Sequence, residues 1–250
     1  MNEFLEKQCK WLNDTEGNLH LHDGHYCQDC KSKGFFYKIR GEEIVAVKCP
    51  CLNVRRNLRL FKESGLDKTL ESKTFDNFIV KENWQKIIKE KAQNFLNNKL
   101  QRIFFIGGQC GAGKTHICTA MCAQYIKRSI PTLYLLWTRD VRQLKAVAND
   151  YTFSEAIAPY KSVEVLYIDD FLKVMQGSTP TPADINIAFE IINSRLRDPS
   201  KITIISSEFS IDELLELDEG TASRICEGAG EFAISISKST HKNYRLRKDI

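Results

Sequence analysis

The sequence contains no run of apolar residues that approaches the roughly 18–20 needed to cross a membrane. Its first ten residues also lack the charged and then apolar plan of a secretion signal. Internal repeats and low-complexity tracts are absent as well. These absences predict a cytoplasmic globular protein with no membrane partner.

Strong net charge is also missing, because the excess of basic residues amounts to only +4. Charge is concentrated locally, however: residues 31–62 hold nine lysines and arginines against two acids, Glu42 and Glu43. This stretch could contact nucleic acid or an acidic protein face, or it could be a solvated surface. Nine cysteines without an export signal indicate reduced thiols and not a disulfide framework.

A glycine-rich stretch carries the clearest chemical signature. Residues 103–106 are predicted to form a buried strand, after which Gly108, Gly113, Lys114 and Thr115 complete the pattern G-x-x-x-x-G-K-[ST]. Glycines let successive backbone N–H groups turn inward and bind phosphate oxygens. We expect Lys114 to contact the β- and γ-phosphates and Thr115 to coordinate Mg²⁺. The predicted nucleotide-binding residues are Gly108, Gln109, Cys110, Gly111, Ala112, Gly113, Lys114, Thr115 and His116.

Two acids, Asp169 and Asp170, directly follow an apolar strand predicted over 163–168. In an open α/β sheet the ligand lies outside the carboxyl ends of the strands, where the phosphate loop also lies. We therefore expect Asp169 to hold Mg²⁺, directly or through water, and Asp170 to polarise the attacking water. Together with Lys114, these groups are sufficient to cleave ATP. The alternative is that the two acids only cap a turn.

From residue 102 onward, apolar strands alternate with amphipathic helices, which predicts an α/β fold with a central parallel sheet. The predicted strands are 103–106, 132–136, 163–168, 202–205 and 233–236. The main predicted helices are 82–98, the helix after the phosphate loop, 182–197, 212–217 and 222–227. We place a domain boundary near residue 75, with an N-terminal module over 1–75 and an ATPase domain over 76–250.

The N-terminal module contains two close cysteine pairs, Cys27 with Cys30 and Cys49 with Cys51, on either side of a predicted hairpin. Two such pairs can bring four sulfurs together, as a tetrahedral zinc site requires. A module this small buries too little surface to fold alone, so we predict a structural zinc. Four free thiols or a redox pair are the alternatives. Two further residues are reserve ligands, Cys9 and His25.

A basic helix is predicted over 52–64, ending at Gly65. Its apolar positions are expected to face inward: Leu52, Val54, Leu58 and Phe61. Its basic positions are expected to face outward: Arg55, Arg56, Arg59 and Lys62. This basic face is either a contact surface or simply solvated.

The motifs of the ATPase half occur in an order that resembles a known family. They are the phosphate loop and residues 166–170, 189–195, 203–207 and 222–225. Together they resemble the AAA+ domain of the DnaC/DnaI helicase loaders and their phage relatives. The cysteine module, the basic helix and Ser64-Gly65-Leu66 are similar to those of loaders from phages and Gram-positive bacteria.

This resemblance implies an AAA+ ATPase that binds a replicative hexameric helicase of the DnaB type through its N-terminal module. Its ATPase domains would assemble side by side, engage single-stranded DNA and help to place the helicase on it. The resemblance makes Arg224 an arginine finger that reaches ATP on a neighbouring subunit, and Arg245 a second phosphate sensor. The alternative for Arg224 is a salt bridge on a helix surface. The implied cofactors are ATP, Mg²⁺ and Zn²⁺.

One position departs from the family's pattern. Relatives commonly carry an asparagine that senses the γ-phosphate after the fourth strand, whereas this chain has Ser207-Glu208. One alternative is that Ser206 or Ser207 senses the phosphate, and we assign Ser207 as catalytic. The other is that Glu208 meets an arginine from another subunit. The departure bears on the catalytic rate and not on nucleotide binding.

Three other functions stay open. An IstB-type transposition helper ATPase shares the AAA+ core but generally lacks a zinc module. A small-molecule P-loop kinase is disfavoured by Arg224 and by a missing lid segment. A nucleotide-switched adaptor with little hydrolysis is suggested by Glu208.

Overall fold

The computed structural model describes residues 2–63, 72–128, 130–175 and 177–246, without the side chains of residues 2, 57 and 60–63. Three predictions lie outside the described residues. They are the inward side chain of Phe61, the outward side chain of Lys62, and the Ser64-Gly65-Leu66 segment with its helix end.

A small N-terminal module is built around an antiparallel hairpin. Its elements are α1 (Asn2–Asp14), α2 (His20–Asp23), β1 (Phe35–Arg40), β2 (Glu43–Lys48) and α3 (Cys51–Glu63). The Asn13 side chain accepts a hydrogen bond from the Tyr37 N–H at 2.8 Å and donates one to its carbonyl at 2.9 Å. A single side-chain amide therefore pairs with both backbone groups of Tyr37 and fixes α1 to the hairpin.

Five parallel strands form the sheet of the larger domain. They are β3 (Ile103–Gly108), β4 (Thr132–Leu136), β5 (Val165–Asp169), β6 (Ile202–Ser206) and β7 (Ala233–Ile236). Their spatial order is β4-β5-β6-β3-β7. Because all strands run the same way, the carboxyl ends of β3, β5 and β6 meet at one edge of the sheet. That edge brings the candidate nucleotide site together.

Helices cover both faces of this sheet. They are α4 (Asn83–Phe95), α5 (Lys114–Lys127), α6 (Trp137–Ala146), α7 (Phe153–Ser162), α8 (Pro182–Leu196), α9 (Ile211–Leu217) and α10 (Glu219–Ala229). Since successive strand side chains point to opposite faces, β3 serves two cores. Phe104 packs with α4 and α5, whereas Phe105 packs with α6, α8 and α10. The predicted α/β fold with a central parallel sheet is confirmed.

The sequence prediction does not include helix α7. It contains Pro159, a residue that usually ends a helix, and Ile157 is its one fully buried side chain. The Val163 N–H bonds the Pro159 carbonyl at 3.2 Å and closes this helix. For that reason β5 begins at Val165 and not at residue 163 as predicted. No helix in the described ranges is long and apolar enough to span a membrane.

The basic helix α3 attaches the N-terminal module to the ATPase domain. Val54 and Leu58 pack into the core that contains α5, as their predicted inward orientation requires. Leu52, in contrast, is 37% exposed. Arg55 is buried, which contradicts its predicted outward position, because its guanidinium pairs with Asp23. Arg56 and Arg59 are exposed as expected.

The segment before α4 also packs on the ATPase domain. Phe75 and Phe78 are each 7% exposed and belong to the same core as α5. Both α3 and this segment thus contact the larger domain. The boundary near residue 75 stays a prediction.

Candidate nucleotide and metal sites

The phosphate loop joins β3 to α5, and its backbone requires glycine. Gly111 and Gly113 have φ values of 71° and 84°, a region that glycine enters without steric cost. A Cβ at Gly113 would lie 2.9 Å from the Phe78 ring, and one at Gly111 would lie 1.9 Å from the Asn243 side chain. Two flanking segments of the chain therefore press directly on the loop.

Lys114 is folded onto the loop that precedes it. Its ammonium donates to the carbonyl oxygens of Gly108 at 2.8 Å and of Gln109 at 2.7 Å. Burial lowers the pKa of Lys114, although nearby acids, including Glu208 and Asp170, act in the opposite direction. The structure thus places a cation at the loop, where the sequence predicts phosphate binding.

The remaining loop residues contact the segment that follows β7. The Gln109 side chain accepts from the Ser239 N–H at 2.7 Å, and the Tyr244 N–H donates to the Gly111 carbonyl at 3.0 Å. Ala112 is buried.

Arg245 lies at the phosphate loop. One of its guanidinium nitrogens is 3.5 Å from the Cys110 sulfur. The structure thus brings Arg245 next to the phosphate loop, although 135 residues separate it from Cys110, and its role as a phosphate sensor stays a prediction.

His116 joins the first turn of α5 to the segment before α4. Its Nε2 lies 2.9 Å from the Thr74 carbonyl and 3.0 Å from the Asn77 side-chain oxygen. The ring also meets Phe78 edge-on at 5.3 Å. Burial lowers the pKa of His116, although the hydrogen bond to Thr74 opposes this shift. A neutral imidazole therefore fixes this segment beside the loop.

Asp169 ends β5 and collects hydrogen bonds from three side chains. Thr115 Oγ1 donates to Asp169 Oδ1 at 3.2 Å, and the Tyr134 hydroxyl donates to Oδ2 at 3.1 Å. The Ser206 hydroxyl also donates to Oδ1. The two predicted magnesium ligands, Thr115 and Asp169, therefore lie together. Carboxylate and hydroxyl oxygens are hard ligands that suit Mg²⁺, so this donor pair fits the ion.

Asp170 adopts a left-handed backbone, with φ of 53°, at the turn after β5. Its carboxylate pairs with Lys173 at 3.2 Å, and Lys173 also pairs with Glu208 at 2.9 Å. Burial and the neighbouring Asp169 raise the pKa of Asp170 despite Lys173. Lys173 is absent from the predicted site residues, although a cation three residues after an Asp-Asp pair was an available signal. Tyr134 is absent from them as well.

Ser207 is buried, and its hydroxyl is used within the turn after β6. It donates to the Phe171 carbonyl at 2.9 Å and accepts from the Phe209 N–H at 3.1 Å. Ser206 instead bonds Asp169. The catalytic role of Ser207 stays a prediction that this arrangement does not support, because its hydroxyl holds backbone and not a group at the loop.

Arg224 lies on α10 and is held in place by α8. Its Nε donates to the Asn193 side chain at 3.0 Å, and one terminal nitrogen donates to the Gly220 carbonyl at 2.7 Å. Its guanidinium also stacks 4.5 Å from the centroid of the Phe189 ring. These contacts fix a half-exposed cation without engaging the phosphate loop. Such a residue suits action on a neighbouring subunit, and it also suits a purely structural contact between helices.

The four cysteines of the N-terminal module converge. All four sulfurs lie within 4.8 Å of one another and are buried, with Cys27–Cys49 at 3.8 Å and Cys30–Cys51 at 3.5 Å. Zinc–sulfur bonds of about 2.3 Å in a tetrahedron place the sulfurs about 3.8 Å apart. The Gly34 N–H donates to the Cys30 sulfur at 3.3 Å. Both the spacing and the soft donors fit zinc.

The reserve ligands stand outside this cluster. The Cys9 sulfur bonds the Tyr37 carbonyl at 3.4 Å. His25 contributes its backbone: its N–H donates to Asp23, and its carbonyl accepts from Arg55 at 2.8 Å. Among the described residues, the four-cysteine set is the candidate metal cluster.

Similarity to known proteins shows the family of this chain. The chain matches the model of IstB-like ATP binding proteins over residues 25–218. It belongs to this family. It is 30% identical over 211 residues to the uncharacterized protein YqaM of Bacillus subtilis, covering 80% of this chain and 66% of YqaM. It is 27% identical over 232 residues to XkdC of the phage-like element PBSX of B. subtilis, covering 88% of this chain and 86% of XkdC.

Solved structures show the same fold. AMPPCP-bound DnaA from Aquifex aeolicus matches with a TM-score of 0.53 and 25% identity, covering 66% of this chain and 49% of that chain. The DnaC helicase loader matches at 0.54 and 18% identity, covering 68% and 98%, and DnaI at 0.51 and 16%, covering 70% and 93%. The chain thus spans about half of that DnaA chain. The predicted AAA+ ATPase domain is confirmed, and these similarities support an IstB/DnaC-like ATP-binding domain.

Proposed function

We propose that the protein is an ATP-driven loader that places a replicative hexameric helicase on single-stranded DNA. The observation that carries this proposal is a four-cysteine module attached to an AAA+ domain through the basic helix α3. The AAA+ domain supplies a nucleotide-driven switch. The module supplies a separate surface for a partner.

ATP hydrolysis follows from the residues at the carboxyl edge of the sheet. The N–H groups of the loop and Lys114 bind the phosphates, and the start of α5 adds its positive dipole end. Thr115 and Asp169 would hold Mg²⁺, which neutralises charge that develops on the phosphates. Asp170 would orient the attacking water once its pairing with Lys173 loosens.

Completion of the site by a second subunit is part of this proposal. The hydrogen bonds and the stacking contact that fix Arg224 go to Asn193, Gly220 and Phe189. None of these partners belongs to the phosphate loop. A trans arginine contributes about 10³–10⁵ in rate in other nucleotide hydrolases. Arg245 would bind the phosphates within its own subunit.

The helicase would meet the N-terminal module, which zinc holds in shape. Arg56 and Arg59 stand exposed on α3 and offer a positive surface to an acidic face of the ring. Support for single-stranded DNA comes from a related DnaA structure, 26% identical, which is described as bound to AMPPCP and single-stranded DNA.

The family match also favours a second candidate, a transposition helper ATPase of the IstB type. The two functions differ in their partner. Gel filtration of the protein with purified host replicative helicase, in the presence of Mg²⁺ and AMPPCP, tests the choice. We expect co-elution for the wild type, weakened binding for Arg56→Glu/Arg59→Glu, and unchanged binding for Lys127→Glu on α5. A wild type that binds duplex DNA but never the helicase would favour the transposition helper.

A further inference from the structure

A lysine and a glutamate, Lys173 and Glu208, lie paired at the carboxyl edge of the sheet, where the predicted magnesium ligand Asp169 also lies. Lys173 contacts Glu208 at 2.9 Å and Asp170 at 3.2 Å. Lys173 comes from the turn after β5, whereas Glu208 comes from the turn after β6. The pair therefore joins the two strand ends that flank the predicted magnesium site.

The backbone holds Lys173 in this place. The Phe171 N–H bonds the Ser206 carbonyl at 2.8 Å, and the Lys173 N–H bonds the Asp170 carbonyl at 2.9 Å. Phe171 and Leu172 are fully buried between these turns. Hydrogen bonds and burial thus hold the turn in place, which fixes the backbone position from which the Lys173 side chain extends.

Electrostatic interactions link Glu208 to the phosphate loop. Burial raises its pKa, but hydrogen bonding and charge from Lys173 lower it overall, and the Cys110 side chain and the Lys114 charge add to the lowering. Glu208 likewise acts on the pKa of Lys114. An ionised carboxylate therefore lies near the lysine that the sequence assigns to the β- and γ-phosphates.

Such a carboxylate would repel a γ-phosphate unless a cation compensates it. Lys173 provides that cation and contacts Glu208 directly. ADP lacks the third phosphate, so its binding depends much less on this compensation. Compensation of the Glu208 charge by Lys173 therefore affects the binding of ATP more than the binding of ADP.

We propose that the Lys173–Glu208 pair determines specificity for ATP over ADP, with Lys173 cancelling the charge of Glu208 beside the γ-phosphate. This inference rests on the proposed ATP site. Lys173 acts as a positioning residue, since it sets the charge that the terminal phosphate meets.

The test is a comparison of dissociation constants for Mg²⁺–AMPPCP and Mg²⁺–ADP by calorimetry. Lys173→Met leaves Glu208 and Asp170 uncompensated, so we expect AMPPCP to bind about tenfold more weakly and ADP to change by less than about threefold. Adding Glu208→Gln to Lys173→Met removes the repulsion from Glu208 and should restore most of the AMPPCP binding. Lys173→Arg should keep the wild-type ratio of the two constants.

A matched control is Lys161→Met, because Lys161 has the same 32% side-chain exposure as Lys173 and pairs at 3.0 Å with a different carboxylate, Glu190 of α8. It should leave both constants unchanged. Equal losses for both nucleotides in Lys173→Met, or no rescue by Glu208→Gln, would overturn the inference. A wild type that binds neither nucleotide would instead overturn the proposed ATP site itself.

Discussion

The Thr115 hydroxyl lies 3.2 Å from Asp169 Oδ1, which links the first turn of α5 to the last residue of β5. These residues are 54 positions apart in the chain. Parallel β3 and β5 make the meeting possible, because both strands end at the same edge of the sheet. The contact places the two candidate magnesium ligands beside the loop that carries Lys114.

Asp169→Asn should lower kcat for ATP hydrolysis by about 10²–10³, because it removes a negative magnesium ligand that supports the phosphates. Tyr134→Phe is the matched control. It removes one hydrogen bond to Asp169, at 3.1 Å, without changing the ligand's charge, and should have a much smaller effect. Steady-state phosphate release measured over a range of Mg²⁺ concentrations checks both variants. Equal rates for Asp169→Asn and wild type would contradict this metal site.

Arg224→Ala should bind ATP normally and lose hydrolysis, since Arg224 is proposed to act on a neighbouring subunit. Lys114→Ala should lose nucleotide binding. Mixing the two inactive variants should restore part of the activity, because the intact Arg224 of one can complete the intact loop of the other. Phosphate release from the mixture, measured at rising protein concentration, provides the test. Normal hydrolysis by Arg224→Ala at high concentration would refute assembly through this residue.

The purified protein should contain close to one zinc per chain, and Cys27→Ser/Cys30→Ser should lose it. Removing two of the four sulfurs leaves too few ligands for a closed tetrahedral site. Cys9→Ser is the control in the same module, because the Cys9 sulfur bonds the Tyr37 carbonyl and not the cluster. Elemental analysis by mass spectrometry reports the metal content. A folded wild type without metal would refute the zinc site.

Arg195→Met should lower the free energy of unfolding by at least about 3 kcal/mol, because it leaves buried carbonyl groups without donors. Arg195 is 1% exposed and donates to the carbonyls of Val163 at 2.8 Å and Ile202 at 2.7 Å, among others. Arg197→Met, on an exposed neighbouring position, is the control. Urea denaturation followed by circular dichroism gives both values, and equal small losses would show that Arg195 is not a structural anchor.

Sequence alone predicted the features whose chemistry is local. The glycines and Lys114 are contiguous, the two cysteine pairs have short spacing, and Asp169 directly follows an apolar strand. Residue type and spacing are sufficient in such cases, and the structure brings these groups together as expected.

Contacts between segments that are distant in the chain could not be predicted from the sequence. Arg55 has the periodic position of a solvated helix residue, yet Asp23, 32 residues earlier, draws it into the interior. Glu208 stood out as a departure, but Lys173 could not be named as its partner without the fold. Both cases depend on how separate turns come together, which the pattern of a single segment does not encode.

Helicase loading by this protein can be measured on closed circular single-stranded DNA, which offers no free end for a ring to thread. Purified helicase is mixed with the DNA, and the DNA-bound fraction is measured by gel filtration with wild type, with Lys114→Ala, or without the protein. We expect bound helicase with the wild type in the presence of ATP, and none with Lys114→Ala or without the protein. Equal loading in all three samples, or none in any of them while the helicase is shown to be active on linear DNA, would contradict helicase loading by this protein.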